Sequence, residues 1–115
     1  MNTTLPVRSV AADVYVAPQL TVAQMAEAAR AGFRTVINNR PDFEEGPAQP
    51  TSTALAAAAA AAGLEYRHLP VQGHYQSPEE IAAFARLLRE LPRPLLAFCR
   101  SGARSARMVA ASDGA

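Results

Sequence analysis

The chain has 115 residues, a length that fits one domain with one core and excludes two independent cores. Half of the residues are hydrophobic and 18% are charged, a globular rather than a disordered composition. Eleven cations against ten anions leave a net charge of +1, which argues against a coat for nucleic acid or for an anionic membrane surface.

Alanine supplies much of the apolar half and there are four Phe, three Tyr and no Trp, so the core is expected to be thin and closely spaced. Every cation is an arginine. Arg86, Arg89, Arg93, Arg100, Arg104 and Arg107 face only Glu90 between positions 86 and 107, so the C-terminal third is expected to receive a small anionic substrate. A single cysteine forbids an internal disulfide and a multi-cysteine metal site. The N-terminal stretch has no apolar run with basic flanks and a cleavage site, and charge interrupts every alanine-rich segment before a bilayer span is reached. The expectation is a cytoplasmic protein with no metal, no cofactor, no membrane and no nucleic-acid partner.

In chain order, Val14, Tyr15 and Val16 predict a short strand, and Thr21 caps a helix over VAQMAEAARA that Gly32 stops. FRTVIN, rich in β-branched residues, predicts a second strand, ended by Asn38, Asn39, Arg40 and Pro41 and followed by a polar loop to Pro50. Ser52 or Thr53 is the expected cap of an alanine helix over 54–62, closed by Gly63. Its methyl surface suits close approach to a sheet. LEYRHLPV predicts the third strand, with His68 as a surface residue. Ser77, Pro78 and Glu80 form a capping box that opens a helix whose apolar face is Ile81, Phe84, Ala85, Leu87 and Leu88. PLLAF reads as a central strand covered on both faces, and a short helix is expected over 103–111, with Ser112, Asp113 and Gly114 fraying. Strands alternating with helices predict an α/β fold with a parallel-rich sheet and right-handed crossovers.

In such a sheet the ligand site lies beyond the carboxyl ends of the strands, which is where CRSGARS follows PLLAF. Backbone N–H groups from Arg100, Ser101, Gly102, Ala103 and Ser105, together with a helix N-terminus, make an anion cradle there and favour the thiolate of Cys99, the form that attacks. Gly102 suits a tight loop, and Arg104 offers a planar two-pronged donor to an oxyanion. The alternative is that Cys99 is one more small buried hydrophobe.

These segments, TVINNRPD, AAAAAAGLEYRHLPV, SPEEIAAFARLL and FCRSGARS in that order, resemble the small bacterial family of beta-lactamase hydrolase-like protein phosphatase-like domains, which is also known as a sulfur transferase family. The resemblance spans nearly the whole chain. It implies the fold of the dual-specificity protein phosphatases, a sheet of four or five strands with the cysteine loop at its C-terminal edge. Two departures from the phosphatase pattern bear on chemistry. Only Arg100, Ser101, Gly102 and Ala103 separate Cys99 from Arg104, where those phosphatases have five residues, and the shorter loop resembles that of rhodanese-type sulfurtransferases. Gly73 stands where the phosphatases carry an aspartate proton donor. An alkoxide leaving group needs that proton, a contribution of about 10² to 10⁴ in rate, whereas sulfite leaving thiosulfate does not.

The leading expectation is therefore sulfur transfer through a Cys99 persulfide to a thiol acceptor. Phosphoester hydrolysis through a phosphocysteine is the alternative, and an anion-binding or docking module without catalysis is the third. His74 and Asp42 are the candidate proton donors. Arg40 and the two asparagines beside it are candidates to line the pocket, the competing role of Asn38 and Asn39 being to end the strand in Asx-type turns.

Overall fold

A computed structural model describes residues 2–113 of the chain. Five strands, β1 (Arg8–Ala11), β2 (Val14–Ala17), β3 (Thr35–Asn38), β4 (Glu65–His68) and β5 (Leu95–Phe98), alternate with helices α1 (Val22–Arg30), α2 (Ser52–Ala61), α3 (Pro78–Glu90) and α4 (Ala103–Ala111). They form one sheet in the order β1-β2-β5-β3-β4. The β1 and β2 strands pair antiparallel, and every other neighbouring pair is parallel, as an alternating strand and helix pattern requires.

The β5 strand is central, and all four of its residues are buried. Successive side chains point to opposite faces of a strand, and here the two faces build two cores. Leu96 and Phe98, with Val36 of β3, meet Met25 and Ala28 of α1 and Leu55 and Ala59 of α2. Leu95 and Ala97, with Val14, Val16 and Ile37, meet Phe84 and Leu88 of α3 and Met108 and Val109 of α4. The sheet is thus a middle layer between two helix pairs.

Local signals account for the helix starts. Thr21 and Ser77 each form a reciprocal capping box, with Gln24 and Glu80. The alanine helix begins earlier than its composition indicates: Thr51 is the cap, its hydroxyl accepting from Ala54 N, and Ser52 N donates to the Asp42 carboxylate. The expected cap at Ser52 or Thr53 is corrected because Pro50 and the Asp42 contact bring the chain into helical geometry two residues sooner.

One strand has no counterpart among the sequence-predicted elements, and two more expectations are corrected. The β1 strand lies at an edge with exposed and half-buried residues, so it lacks the alternation that marks a strand in sequence; the hairpin turns through Asp13 at φ +57°. The β4 ladder is shorter than LEYRHLPV, ending at His68, although Leu69 N and Val71 N still donate to the carbonyls of Asn38 and Asn39. At the C-terminus Ser112 is buried and donates through Oγ to Met108 O at 2.8 Å, and the exposed Asp113 donates through N to Ala110 O, so both belong to the turn that closes α4 where the sequence predicts fraying. Gly114 lies outside the described residues. Among those residues no helix is long and apolar enough to cross a membrane, and no three His, Cys, Asp or Glu side chains cluster as metal ligands.

Candidate active site

The three central parallel strands end in register. Ala17, Phe98 and Asn38 are neighbours across β2, β5 and β3, so Pro18, Cys99 and Asn39 leave the sheet side by side. Cys99 N donates to Ala17 O and Asn39 N to Phe98 O, which holds all three exits at the carboxyl edge of the sheet. That edge is the general place for a site in an open α/β sheet.

Cys99 is 1% exposed, and Gly102 N donates to its Sγ at 3.0 Å. Ala103 N is taken by Ser101 Oγ. Because α4 starts at Ala103, the positive end of its dipole lies one residue beyond the N–H that meets the sulfur, an arrangement that favours negative charge. Gly102 is required twice over. It takes φ +94°, and a Cβ on it would stand 3.3 Å from the backbone carbon of Ala17.

Arg104 is also buried. Its Nη1 donates to Val71 O at 3.0 Å, its Nη2 donates to Glu44 Oε1 at 3.2 Å, and its Nε is buried with no hydrogen-bond partner. Glu44 Oε1 accepts as well from Arg40 Nε at 2.8 Å, so one carboxylate joins the two buried arginines. Burial works to raise the Glu44 carboxyl, but the hydrogen bonds and charges of Arg104 and Arg40 outweigh it and hold the group below its ordinary value. Arg40 Nη1 donates to Gln19 Oε1, and Arg40 Nη2 lies 3.0 Å from Glu45 Oε1 at an angle that makes no hydrogen bond. The same Glu45 oxygen pairs with Arg100 Nε at 2.6 Å. Arg104, Arg40 and Arg100 therefore stand in a row, interleaved with Glu44 and Glu45. Beside the row is a cavity of about 370 Å³ lined by Gln19, Arg40, Glu45, Gln49 and Arg100 among others.

Sequence reasoning did not find Glu44 and Glu45. The signal that could have found them is the i,i+4 pair Arg40–Glu44, with the two acids standing together in a loop that leads away from a strand end.

The remaining candidates divide. Arg40 lines the cavity, whereas Asn38 Oδ1 accepts from Arg40 N in the Asx-type turn and its Nδ2 donates to Tyr66 OH. Asn39 donates to Leu69 O and accepts from Ser105 Oγ at 2.8 Å, so Ser105 and Asn39 fasten α4 to the end of β3. Asp42 is held by Ser52 N at the start of α2. His74 is exposed in the loop after β4. His68 is half-buried, its Nε2 bonded to Arg40 O at 2.8 Å, which corrects its reading as a surface residue. Gly73 lies against the cysteine loop's arginine: a Cβ on it would be 3.5 Å from Arg104 Nη2. Gly73, which the sequence resemblance aligns with the phosphatases' aspartate, is therefore adjacent to Arg104 and carries no side chain.

Comparison with known proteins identifies the family and the fold. Residues 6–115 match the family described as "Beta-lactamase hydrolase-like protein, phosphatase-like domain". A beta-lactamase hydrolase-like protein of Agrobacterium fabrum is 38% identical over 90 residues, which are 78% of this chain and 21% of that protein. One from Xylella fastidiosa is 42% identical over 85 residues, 74% of this chain and 20% of its own length. The chain thus spans about a fifth of these curated relatives. In structure it is similar to a candidate phosphatase from Neisseria meningitidis, with TM-score 0.82, 29% identity and coverage of 91% of this chain and 74% of that one. The core catalytic domain of the PP-IP phosphatase SIW14 from S. cerevisiae shares the fold, with TM-score 0.65 at 13% identity over 88% of this chain and 60% of the other. Both structural neighbours are described as phosphatases, the first as a candidate one, and sulfur transfer, the leading expectation from the shortened loop and the bare Gly73, has no support among them.

Proposed function

Since the chain belongs to the beta-lactamase hydrolase-like protein, phosphatase-like domain family, we propose that it hydrolyses a phosphoester through a phosphocysteine on Cys99. The observation that carries the proposal is Gly102 N–H on Sγ at the head of α4, with Arg104 buried in the same loop.

The Cys99 thiolate attacks phosphorus, and the bond from phosphorus to the leaving oxygen breaks. The loop N–H groups from Arg100 to Ser105 and the Arg104 guanidinium stabilise the charge that gathers on the phosphoryl oxygens. Water then attacks the phosphocysteine, inorganic phosphate departs, and the thiolate returns. The leaving oxygen takes its proton from water or from His74, which is exposed one residue from Gly73; Asp42, tied to the start of α2, is the less accessible donor. Leaving groups that need little protonation are therefore the better substrates.

Sulfur transfer through a Cys99 persulfide to a thiol acceptor is the second reading, favoured by the four-residue spacing from Cys99 to Arg104 and by the bare Gly73. Parallel assays of aryl phosphate hydrolysis and of thiosulfate-to-cyanide sulfur transfer, on the wild type, Cys99→Ser and Arg104→Ala, separate the readings. Aryl phosphate turnover abolished by Cys99→Ser and reduced about 10²-fold or more by Arg104→Ala is the expected result. Cys99-dependent sulfur transfer alone selects the second reading, and neither activity leaves the docking module.

A further inference from the structure

We infer that the site takes two adjacent phosphoryl groups, so that its substrate is a phosphoanhydride, a diphosphate cleaved between its phosphorus atoms. This rests on the phosphatase reading and adds the substrate class to it.

The first ground is the arginine row. Arg40 is 3% exposed, an expensive place for a cation; the residue lines the cavity, and its buried Nη2 makes no hydrogen bond but lies 3.0 Å from Glu45 Oε1. Its two neighbours in the row stand at the reach of single oxygens. Glu44 Oε1 spans Arg40 and Arg104 at 2.8 and 3.2 Å, and Glu45 Oε1 spans Arg40 and Arg100 at 3.0 and 2.6 Å. The two carboxylates mark two oxyanion seats that share Arg40. A monophosphate over Cys99 and Arg104 uses only the first, in place of the Glu44 carboxylate. A second phosphoryl group joined to it through one bridging oxygen reaches the second, between Arg40 and Arg100, by displacing the exposed Glu45. Arginine suits such planar, bidentate contact with phosphoryl oxygens.

The second ground is independent and chemical. The bare Gly73 beside Arg104 leaves the loop without the carboxylic acid that would protonate an alkoxide. In a diphosphate the leaving group is itself a phosphate, whose second pKa is about 6, so it departs at neutral pH without that proton. Atoms and charges balance: Cys99 sulfur bonds to the terminal phosphorus, the bridging oxygen leaves with the second phosphoryl group held on Arg40 and Arg100, and water releases the first as phosphate.

Calorimetric titration of the wild-type chain with methylenediphosphonate, which cannot be cleaved at its bridge, and with inorganic phosphate tests this without depending on turnover. Expected is at least about tenfold tighter binding of the diphosphonate. Arg100→Ala should remove most of that advantage, and Glu45→Gln should increase it. Arg86→Ala, which deletes the same charge from an exposed position on α3, should leave it within about twofold. Equal affinity for the two anions, or equal losses from Arg100→Ala and Arg86→Ala, overturns the second seat. Either result leaves Cys99-dependent aryl phosphate hydrolysis untouched, so failure here is distinguishable from failure of the phosphatase reading.

Discussion

Replacing Gly102 by alanine probes the cysteine loop at its tightest point. At φ +94° an L-residue is strained, a cost of about 1–2 kcal/mol. The new methyl also presses on the backbone of Ala17, at 3.3 Å from its carbonyl carbon and 3.4 Å from its oxygen, and backbone in a central strand yields little. The total is about 2 kcal/mol or more, a fall in Tm of roughly 8 °C or more for a chain of this size. Gly63, at φ +81° with open space around it, supplies the control: Gly63→Ala carries the conformational cost alone, about 1 kcal/mol. Urea unfolding of both variants measures the difference as a shift in midpoint at constant slope. The Gly102 variant should also lose anion binding, because relieving the contact moves the N–H that meets Cys99 Sγ. Equal midpoint shifts for the two variants would refute the Ala17 contact, and a Gly102→Ala protein with wild-type stability and anion affinity would refute the account of the loop.

Glu44 has a carboxyl held below its ordinary 4.5, so its ion pairs stabilise the fold fully above that value and are lost as pH falls through the lower folded value. Thermal melts from pH 6 to pH 3 should show a steeper loss for the wild type than for Glu44→Gln, and parallel curves would contradict the pairing with Arg104 and Arg40. Burial raises the Tyr66 phenol above its ordinary 10.0, outweighing hydrogen bonds from Ser52 and Asn38, so its share of stability is present below that value and falls away at higher pH. Tyr66→Phe should remove one late-titrating phenol from an alkaline absorbance titration and cost about 1–2 kcal/mol by leaving the Asn38 amide unpaired. Ala59, fully buried where α2 meets the sheet, accepts no larger group, and Ala59→Leu should cost about 1–3 kcal/mol in urea unfolding.

The parts legible in the sequence are those with local physical causes. The buried run LLAF, the caps Thr21 and Ser77, and the cysteine loop at a strand end each follow from burial, hydrogen bonding or backbone geometry within a few residues. What escaped depends on chain placement. The β1 strand has no core face of its own and exists through its hairpin with β2. Glu44 and Glu45 reach the site across a loop that bends at Phe43, φ +62°, with no glycine or asparagine at the bend to announce it. In sequence the asparagines suit a pocket lining and a turn equally; the structure uses both to tie the strand end, and leaves the cavity to Arg40. The leaning towards sulfur transfer comes from two local features, the four-residue spacing between Cys99 and Arg104 and the bare Gly73, whereas the structural neighbours that share the surrounding fold are described as phosphatases.

The most direct test of the central claim is intact-mass analysis of the chain after rapid acid quench from an aryl phosphate. The account predicts a transient adduct of one phosphoryl group, mapped to Cys99 by proteolysis, absent from Cys99→Ser and longer-lived when hydrolysis is slowed. A chain that stays unmodified by aryl phosphate yet gains a single sulfur atom on Cys99 from thiosulfate would contradict it.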